Sequence, residues 1–547
     1  MDTVTQTAAP RKLRSVRPVG TRAVLVELDD LQEVLALQDL LNRSPLPGQV
    51  DVLAAAETVM VVGESASATR AIGARLQDVE LTPPEAADSS LVVIETVYDG
   101  EDLADVAELT GLSVDGVVAV HTGQVWTVAF AGFAPGFGYM VGENQALDVP
   151  RRSSPRTAVP AGSVALGGQY SAVYPRKSPG GWQLIGRTGA RMWDLDRPQP
   201  ALVRPGDRVQ YRAVREVVTA PSAAKTPEAG ESDGPGLRVL NPGAQSLIQD
   251  LGRKGFGPLG VSAAGALDRA SLRRGNRLVG NPSSAAAIET VNGGLVVEAV
   301  GDQVIAVTGA PTTLTIQPPS WVDHDGGARQ GAGRTVAMAT PFALLDGEVL
   351  SLGAPDSGFR NYVAIRGGVD VPEVLGSRSS DTMSGIGPAP LRIGSQVPAG
   401  GLTASTVVGS PELQPDFPGT DVTVLDVVPG PRADWFDQAA IDSLYSQEWL
   451  VTPQSNRVGM RLDGTPLQRA RQGELPSEGT MAGAVQMPPA GLPVLFLADH
   501  PITGGYPVIG VVVDGHLDRA AQVPIGGRIR FRPVPEASPA PTISSKK

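Results

Sequence analysis

"SPGGWQLIGRT", residues 178–188, places a glycine pair behind a proline and directly ahead of a tryptophan. Two glycines let the backbone pass through positive φ or press closely against another group, and the indole brings a large apolar body with a single donor. That combination suits a packing corner or the wall of a ligand pocket. The signature returns in the second half of the chain. "AGSVAL" (161–166) precedes "SPGGWQLIG", and "AGAVQM" (482–487) precedes "ITGGYPVIG" (502–510), with an aromatic, an isoleucine and a glycine at the same offsets after each pair. "RPGDRVQYRAV" from 204 parallels "PIGGRIRFRPV" from 524, each a glycine turn entering a terminal strand. One β unit used twice predicts duplication, with a pocket or interface between like folds.

The apolar runs around these motifs are short and β-branched, as in "RAVLVEL", "TVMVVG", "LVVIETV", "VWTVAFAG" and "NYVAIRGGV", and 65 glycines and 48 prolines punctuate them. Such runs read as strands joined by tight turns, so the chain is mainly β with α+β elements. Two helices stand out. "GEDLADVAELTGLS" (100–113) has an apolar stripe of Leu103, Val106, Ala107 and Leu109, acids in its first turn and Gly111 at its stop. A second opens at Asp268, a candidate catalytic acid whose place ahead of an apolar-periodic segment favours an N-cap, and closes at Gly280 before Pro282. "VVAVH" reads as a strand ending at His121.

The 547 residues call for two to four domains. Lys and Arg total 45 against 57 Asp and Glu, a net charge of −12, with no basic stripe interleaved by aromatics, so no nucleic-acid partner is expected. Cysteine is absent, which removes disulfides, thiolate metal sites and cysteine nucleophiles. "MDTVTQTAAPRKLRSVRP" lacks the apolar core of a signal peptide, and no run of 18 apolar residues follows; a cytoplasmic protein with no membrane partner is expected. Residues 216–236, rich in Ala, Pro, Ser, Glu and Gly, read as a linker, and 536–547 as a disordered tail.

Longer motifs carry a family resemblance. "HTGQVWTVAFAGFAPGFGYM", "PRTAVPAGSVALGGQYSAVYPRKSPGGWQLIGRT" and "YDGEDLADVAELTGLS" resemble the B subunit of bacterial 5-oxoprolinase, the KipI or allophanate hydrolase subunit 1 group. "VLNPGAQSLIQDLGRKGFGPLGVSAAGALDRASLRRGNRLVGNPSSAAAIE", "SNRVGMRL", "LPSEGTMAGAVQMPP" and "DHPITGGYP" resemble the C subunit, the KipA or allophanate hydrolase subunit 2 group. The resemblance implies cyclophilin-like β-barrel units preceded by a small α/β domain. Expected units are an α/β domain (1–88), a cyclophilin-like domain (89–215), a first β domain of the C-like part (237–400) and a second cyclophilin-like domain (401–535).

The same resemblance implies ATP-dependent opening of 5-oxo-L-proline to L-glutamate with a separate A subunit of the LamB/YcsF type. ATP, with magnesium beside it, is the implied cofactor, although no GxxxxGK[ST] loop is present. The B-like and C-like parts are expected to associate with each other or as a homo-oligomer. Two alternatives come with the family: a carboxyltransferase or allophanate hydrolase component of a urea carboxylase (urea amidolyase) system, and a KipI-like binder of a histidine kinase. No Met-Lys-Met biotin context, biotin carboxylase module or amidase stretch occurs, which fits a bare fusion of the B and C types.

Candidate site residues follow from the motifs. His121, one of four histidines, suits a general base; a hydrogen-bonded histidine at a strand end is the plainer reading. "GFAPGFGYM" (132–140) offers backbone amides at Gly136 and apolar walls from Phe137 and Tyr139, or a hinged loop sealing a barrel end. Arg156 and Lys177 are the nearest cations and fit an anionic small-molecule substrate or plain surface charge, with Ser178, Gly180 and Trp182 completing the wall. In the rear part Gln249, Asp250 and Arg253 fall on one turn, Arg457 and Arg461 share a face in helix or strand, and Gly504 and Tyr506 repeat the glycine-pair motif. No metal site is expected. Ser262, Ala264, His500, Pro501 and "GPAPLRIG" (387–394) depart from the C-type pattern, which leaves room for a diverged substrate.

Overall fold

β-Branched runs do become strands, and the strands close two related barrels. The computed structural model describes residues 11–13, 15–81, 91–216, 234–322, 328–473 and 475–535; most of the expected linker (217–233) and the expected tail (536–547) lie outside them. In the front barrel the strands run in the order Gln183–Arg187, Ser163–Gly167, Tyr170–Val173, Gly138–Gly142, Trp126–Ala131, Arg208–Ala213 and Leu91–Thr96. Reciprocal hydrogen bonds between Val97 and Arg187, 2.9 and 2.8 Å, join the two ends. The rear barrel, Thr423–Pro429, Val508–Val512, Ala484–Gln486, Val494–Phe496, Gly459–Asp463, Trp449–Val451 and Arg528–Pro533, repeats that order as a closed ring.

The repeat extends to irregularities. Val164 lies opposite Gly186 with a register shift beyond it, and Val485 lies opposite Gly510 with the same shift. The terminal strands Arg208–Ala213 and Arg528–Pro533 each run parallel to the first strand of their barrel. Trp126 Nε1 donates to the His121 carbonyl at 3.0 Å, and Trp449 Nε1 donates to the Leu444 carbonyl at 3.1 Å, each five residues back. Trp182 and Tyr506 therefore follow glycine pairs in equivalent turns.

Ahead of the first barrel, strands Ser15–Val19, Ala23–Glu27, Thr58–Gly63 and Gln49–Ala54 form an antiparallel sheet with helices Leu31–Arg43 and Ala66–Leu76. Asp30 and Ser65 cap the helices by accepting from Glu33 N (2.9 Å) and Ala68 N (3.1 Å). Strand alternation gives this sheet two apolar faces. Val24, Val26, Val59 and Val61 join Leu37, Leu41 and Ile72 of the helices in a core that continues into Phe130, Phe137, Tyr174 and Trp182 of the front barrel. Ala23, Leu25, Leu53 and Met60 face the other way, against Val428, Phe496, Val508 and Val511 of the rear barrel.

Between the barrels, a seven-stranded and a five-stranded sheet share one core that includes Leu237, Val297, Ile305 and Val363. Helix Arg269–Leu278 packs on the five-stranded sheet, and Asp268 is its N-cap, accepting from Ser271 N at 2.9 Å. Strand Gln396–Leu402 runs through the boundary expected at 400. Beyond it, Gly409 N bonds the Leu278 carbonyl and Glu412 pairs with Arg277, so this stretch packs with the middle unit.

Because the N-terminal sheet contributes to two cores at once, cleavage within residues 217–233 is expected to leave two pieces that co-elute on size exclusion at neutral pH. Separation of the pieces after cleavage would show that these shared cores do not hold them together.

Candidate functional site

Close approach, rather than unusual dihedrals, explains the front glycine pair. A Cβ on Gly180 would lie 2.2 Å from the Tyr174 hydroxyl, and one on Gly504 2.5 Å from Gln486 Nε2. Trp182 is buried edge-on to Phe137 and Tyr139, with ring centroids 5.5 Å from each, whereas Tyr506 is 44% exposed. Phe137 and Tyr139 lie in the core shared with the N-terminal domain. Four of the loop's amides are spent: Gly132 N bonds Phe137 O, Ala134 N bonds Gly132 O, Gly136 N bonds Leu259 O and Phe137 N bonds Ala134 O. Gly136 thus offers no amide to an anion, and the expected amide nest is replaced by a seam to the rear part.

Arg156 is likewise committed, to buried Asp102 at 2.8 Å and to Glu101 at 3.1 Å. The equivalent place in the rear barrel carries the same ion pair with its charges exchanged. Arg156 lies opposite Gly180 and Glu478 opposite Gly504, while Asp102 N bonds Leu184 O and Arg432 N bonds Val508 O, so Asp102–Arg156 corresponds to Arg432–Glu478. A pair that survives charge exchange holds structure. Lys177 is exposed, and Ser178 is buried with its hydroxyl 3.4 Å from the Arg176 carbonyl.

His121 requires a correction. It lies on helix Val114–Thr122, not at a strand end; Ser113 caps the helix through Gly116 N (3.0 Å), Asp115 sits in the first turn and Gly123 ends it. The side chain is fully buried in the barrel interior, at the place of Leu444 in the rear barrel. Nδ1 meets the Tyr98 hydroxyl at 2.7 Å and Nε2 the Ser171 hydroxyl at 2.9 Å, and Ser171 donates on to Tyr211 at 3.0 Å. Burial pushes its pKa down to about 3. Its ring neighbours are Tyr98, Trp126 and Tyr211, none of which touches the rings around Phe137, so the imidazole and the loop do not share a pocket.

The rear candidates divide in the same way. Asp250 accepts from Ser377 Oγ (2.7 Å), Arg378 N (2.7 Å) and Ser379 Oγ (2.5 Å), and Gln249 Nε2 donates to the Ser380 carbonyl at 2.9 Å. Arg253 donates through Nη2 to the Ser379 carbonyl, and its buried Nη1 has no partner among the described residues. Arg461 is exposed on strand Gly459–Asp463, whereas Arg457 precedes that strand and is buried, so the two do not bind an anion jointly.

What the fold brings together is a junction between the front barrel and the rear part. A Cβ on Gly132 would strike Thr503 Oγ1 at 2.1 Å, and one on Gly260 would strike the Ala134 carbonyl at 2.6 Å. Beside this seam Arg176 reaches across, its Nη1 3.3 Å from where a Cβ of Gly385 would stand, and its buried Nε has no partner among the described residues. The charge of Asp381 acts on both Arg176 and Arg253. Asp381 is 2% exposed and accepts from Ser262 Oγ at 2.9 Å, Met383 N at 3.0 Å and Ser384 N at 2.8 Å. Burial first, then the nearby Asp499 carboxylate, raises its pKa. Burial lowers the pKa of both guanidinium groups while Asp381 opposes it. Unspent guanidinium donors beside an acid with a raised pKa can hold an anion and move a proton.

Residues 14–203 match the family described as carboxyltransferase domain, subdomain C and D, and residues 259–533 match carboxyltransferase domain, subdomain A and B. The chain belongs to the carboxyltransferase-domain family. It is 36% identical over 298 residues to the 5-oxoprolinase C subunit of Escherichia coli (strain K12), covering 54% of this chain and 90% of that protein. It is 44% identical over 145 residues to the 5-oxoprolinase B subunit of Escherichia coli O157:H7, 26% of this chain and 65% of that one. The urea amidolyase of Lachancea kluyveri is 29% identical over 58% of this chain, a match to 18% of its own length. The crystal structure of TTHA0988 superposes with a TM-score of 0.81 at 33% identity over 93% of this chain and 99% of that one.

In this carboxyltransferase-domain chain, the junction holds Arg176 rather than the expected Lys177, together with Asp381 and Asp499, which no motif in the sequence marks. "YPRKSPGG" contains both cations, and no periodicity distinguishes the one that crosses to Gly385. Ser262, by contrast, departs from the C-type pattern, and it is the side chain that donates to Asp381.

His121→Asn is expected to lower folding stability by about 2–4 kcal/mol, because it leaves a cavity and unpaired hydroxyls at Tyr98 or Ser171. The depressed folded pKa means that neutral His121 supports the wild type fully above its unfolded pKa of about 6.5, and that this support is lost as pH falls from there towards about 3. Thermal melts from pH 8 to pH 4 should show a shallower acid slope in the variant; equal slopes would remove His121 from the core's proton linkage.

Proposed function

We propose that this chain supplies the B-type and C-type parts of an ATP-dependent 5-oxoprolinase that opens 5-oxo-L-proline to L-glutamate with a separate A subunit. One observation carries the reading: Arg176 of the B-like part and Arg253, Asp381 and Ser262 of the C-like part meet at one junction. The matches to relatives named as the B and C subunits support it.

The substrate's carboxylate suits Arg176 and the spare donor of Arg253. Its cyclic amide needs a proton delivered to nitrogen as water adds to the carbonyl carbon and the C–N bond breaks; Asp381, held protonated more readily than an exposed acid, suits that delivery. Asp499, fixed by Thr382 and Arg457, is the carboxylate beside it. Nucleotide is a different matter. Among the described residues no three His, Asp or Glu side chains gather to hold a metal, and the sequence has no GxxxxGK[ST] loop. The reading leaves ATP to the partner protein.

A second reading, a carboxyltransferase component of a urea carboxylase system, is favoured by the family's description and by the match to urea amidolyase. Coupled assays separate the two: ATP-dependent release of glutamate with an added A-type protein supports the first, and transfer from carboxylated biotin supports the second.

With the A-type protein present, Asp381→Asn is expected to lower kcat by about 100-fold or more while the melting profile is retained, and Arg176→Ala to raise KM for 5-oxoproline more than it lowers kcat. Turnover unchanged in both variants would remove the junction from the chemistry.

A further inference from the structure

Two separate segments meet at the Asp381 carboxyl. Its own segment fills one oxygen: Met383 N and Ser384 N both donate to Oδ1, at 3.0 and 2.8 Å, and Gly385 N bonds the Asp381 carbonyl at 2.9 Å. The other oxygen is met from elsewhere. Ser262 Oγ, on the turn ahead of helix Arg269–Leu278, donates to Oδ2 at 2.9 Å. That turn is placed without help from Asp381, because Arg253 N bonds the Ala263 carbonyl at 2.8 Å and the next two residues, Ala264 and Gly265, take positive φ of 51° and 92°. Ser262 is buried, and Asp381 is its hydroxyl's only partner among the described residues.

A carboxylate has about four lone-pair directions, shared equally between its oxygens. The amides take both on Oδ1 and Ser262 takes one on Oδ2, so the acid's proton belongs on the remaining lone pair of Oδ2. A hydroxyl bonds a charged oxygen more strongly than a neutral one, so this contact favours the state in which the proton has left. Burial first, and then Asp499, hold the proton on Asp381; Ser384, through its amide and its hydroxyl, and Ser262 ease its release. Arg176 and Arg253 are the cations that face the group. Alanine in place of Ser262 would therefore leave Asp381 a weaker acid.

We propose, on the footing that Asp381 is the proton donor of the proposed reaction, that Ser262 is a positioning residue for the acid step: it keeps the transferable proton on Oδ2 and holds the carboxylate once that proton has gone. In the step the O–H bond of Oδ2 breaks, its electron pair stays on Asp381, and an N–H bond forms through the electron pair of the departing amide nitrogen. Ser262 keeps its own hydrogen throughout.

The test is Ser262→Ala in the full chain, with Asp381→Asn beside it. In protein carrying isotope-labelled aspartate carboxyls, the nuclear magnetic resonance signal absent from Asp381→Asn reports Asp381, and its titration midpoint is expected to move up by about one pH unit in Ser262→Ala. With the A-type protein present, the basic limb of the kcat–pH profile should move up by the same amount, kcat on the plateau should fall about fivefold, and KM should stay within about twofold of the wild type. An unmoved midpoint would overturn the role of Ser262 and leave Asp381 its own. A moved midpoint in a protein whose Asp381→Asn variant turns over normally would overturn that role together with the reading of the junction.

Discussion

Arg457 is the interaction on which the rear half depends. Its guanidinium is 2% exposed and donates to Glu289 at 2.5 Å, to Asp499 at 2.9 and 3.1 Å and to the Gly265 carbonyl at 2.6 Å. Glu289 and Gly265 belong to the middle unit, Asp499 and Arg457 to the rear barrel. Burial works against the charge, but the two carboxylates outweigh it and keep Arg457 protonated. Removing one member of such a buried set costs about 3–5 kcal/mol, because the rest are left charged and dry. The cost explains why the two units sit in one relative position, and that position sets Asp499 beside Asp381. Tyr362 tightens the arrangement further, donating to Glu289 at 2.7 Å while accepting from Asp268 N at 2.7 Å.

The N-terminal sheet performs a similar service with apolar contacts. Its two faces are buried against different neighbours, so that alternate residues of one strand, Val24 and Leu25, enter different cores. Asp51 adds a polar contact at the same meeting point. Its carboxylate accepts from Gly257 N at 3.2 Å, and burial raises its pKa to about 6. The junction with the rear part is thus secured by shape and by a carboxyl that tolerates protonation near neutrality.

Local signals were legible where spacing and punctuation agreed. The helix over Leu103–Thr110 buries Leu103, Val106 and Ala107 of its expected stripe, leaves Leu109 exposed and ends at a left-handed Gly111, and Asp268 caps its helix. The repeated glycine-pair motif predicted equivalent turns, and register and bulge match in both barrels. "SVDGVVAVHTG" misled because four valines in a short run suggest a strand, while the N-cap serine, the acid in the first turn and the closing glycine were the stronger signal. The site was less legible. Arg176 and Lys177 differ by one position in a bend between two strands, and only tertiary packing decides which turns towards the rear part. Arg457 and Arg461 share a spacing that promised a common face, but the strand starts between them.

Covalent linkage gives the junction a property that separate proteins lack. Arg176 stands on one side of residues 217–233 and Asp381 on the other, so the two sides meet within one molecule. Tethered partners face each other at effective concentrations of order millimolar, whatever the protein's abundance in the cell. Two unlinked chains with the same contacts would assemble this constellation only in proportion to their product of concentrations. The fused chain completes it at any dilution, and always in equal parts.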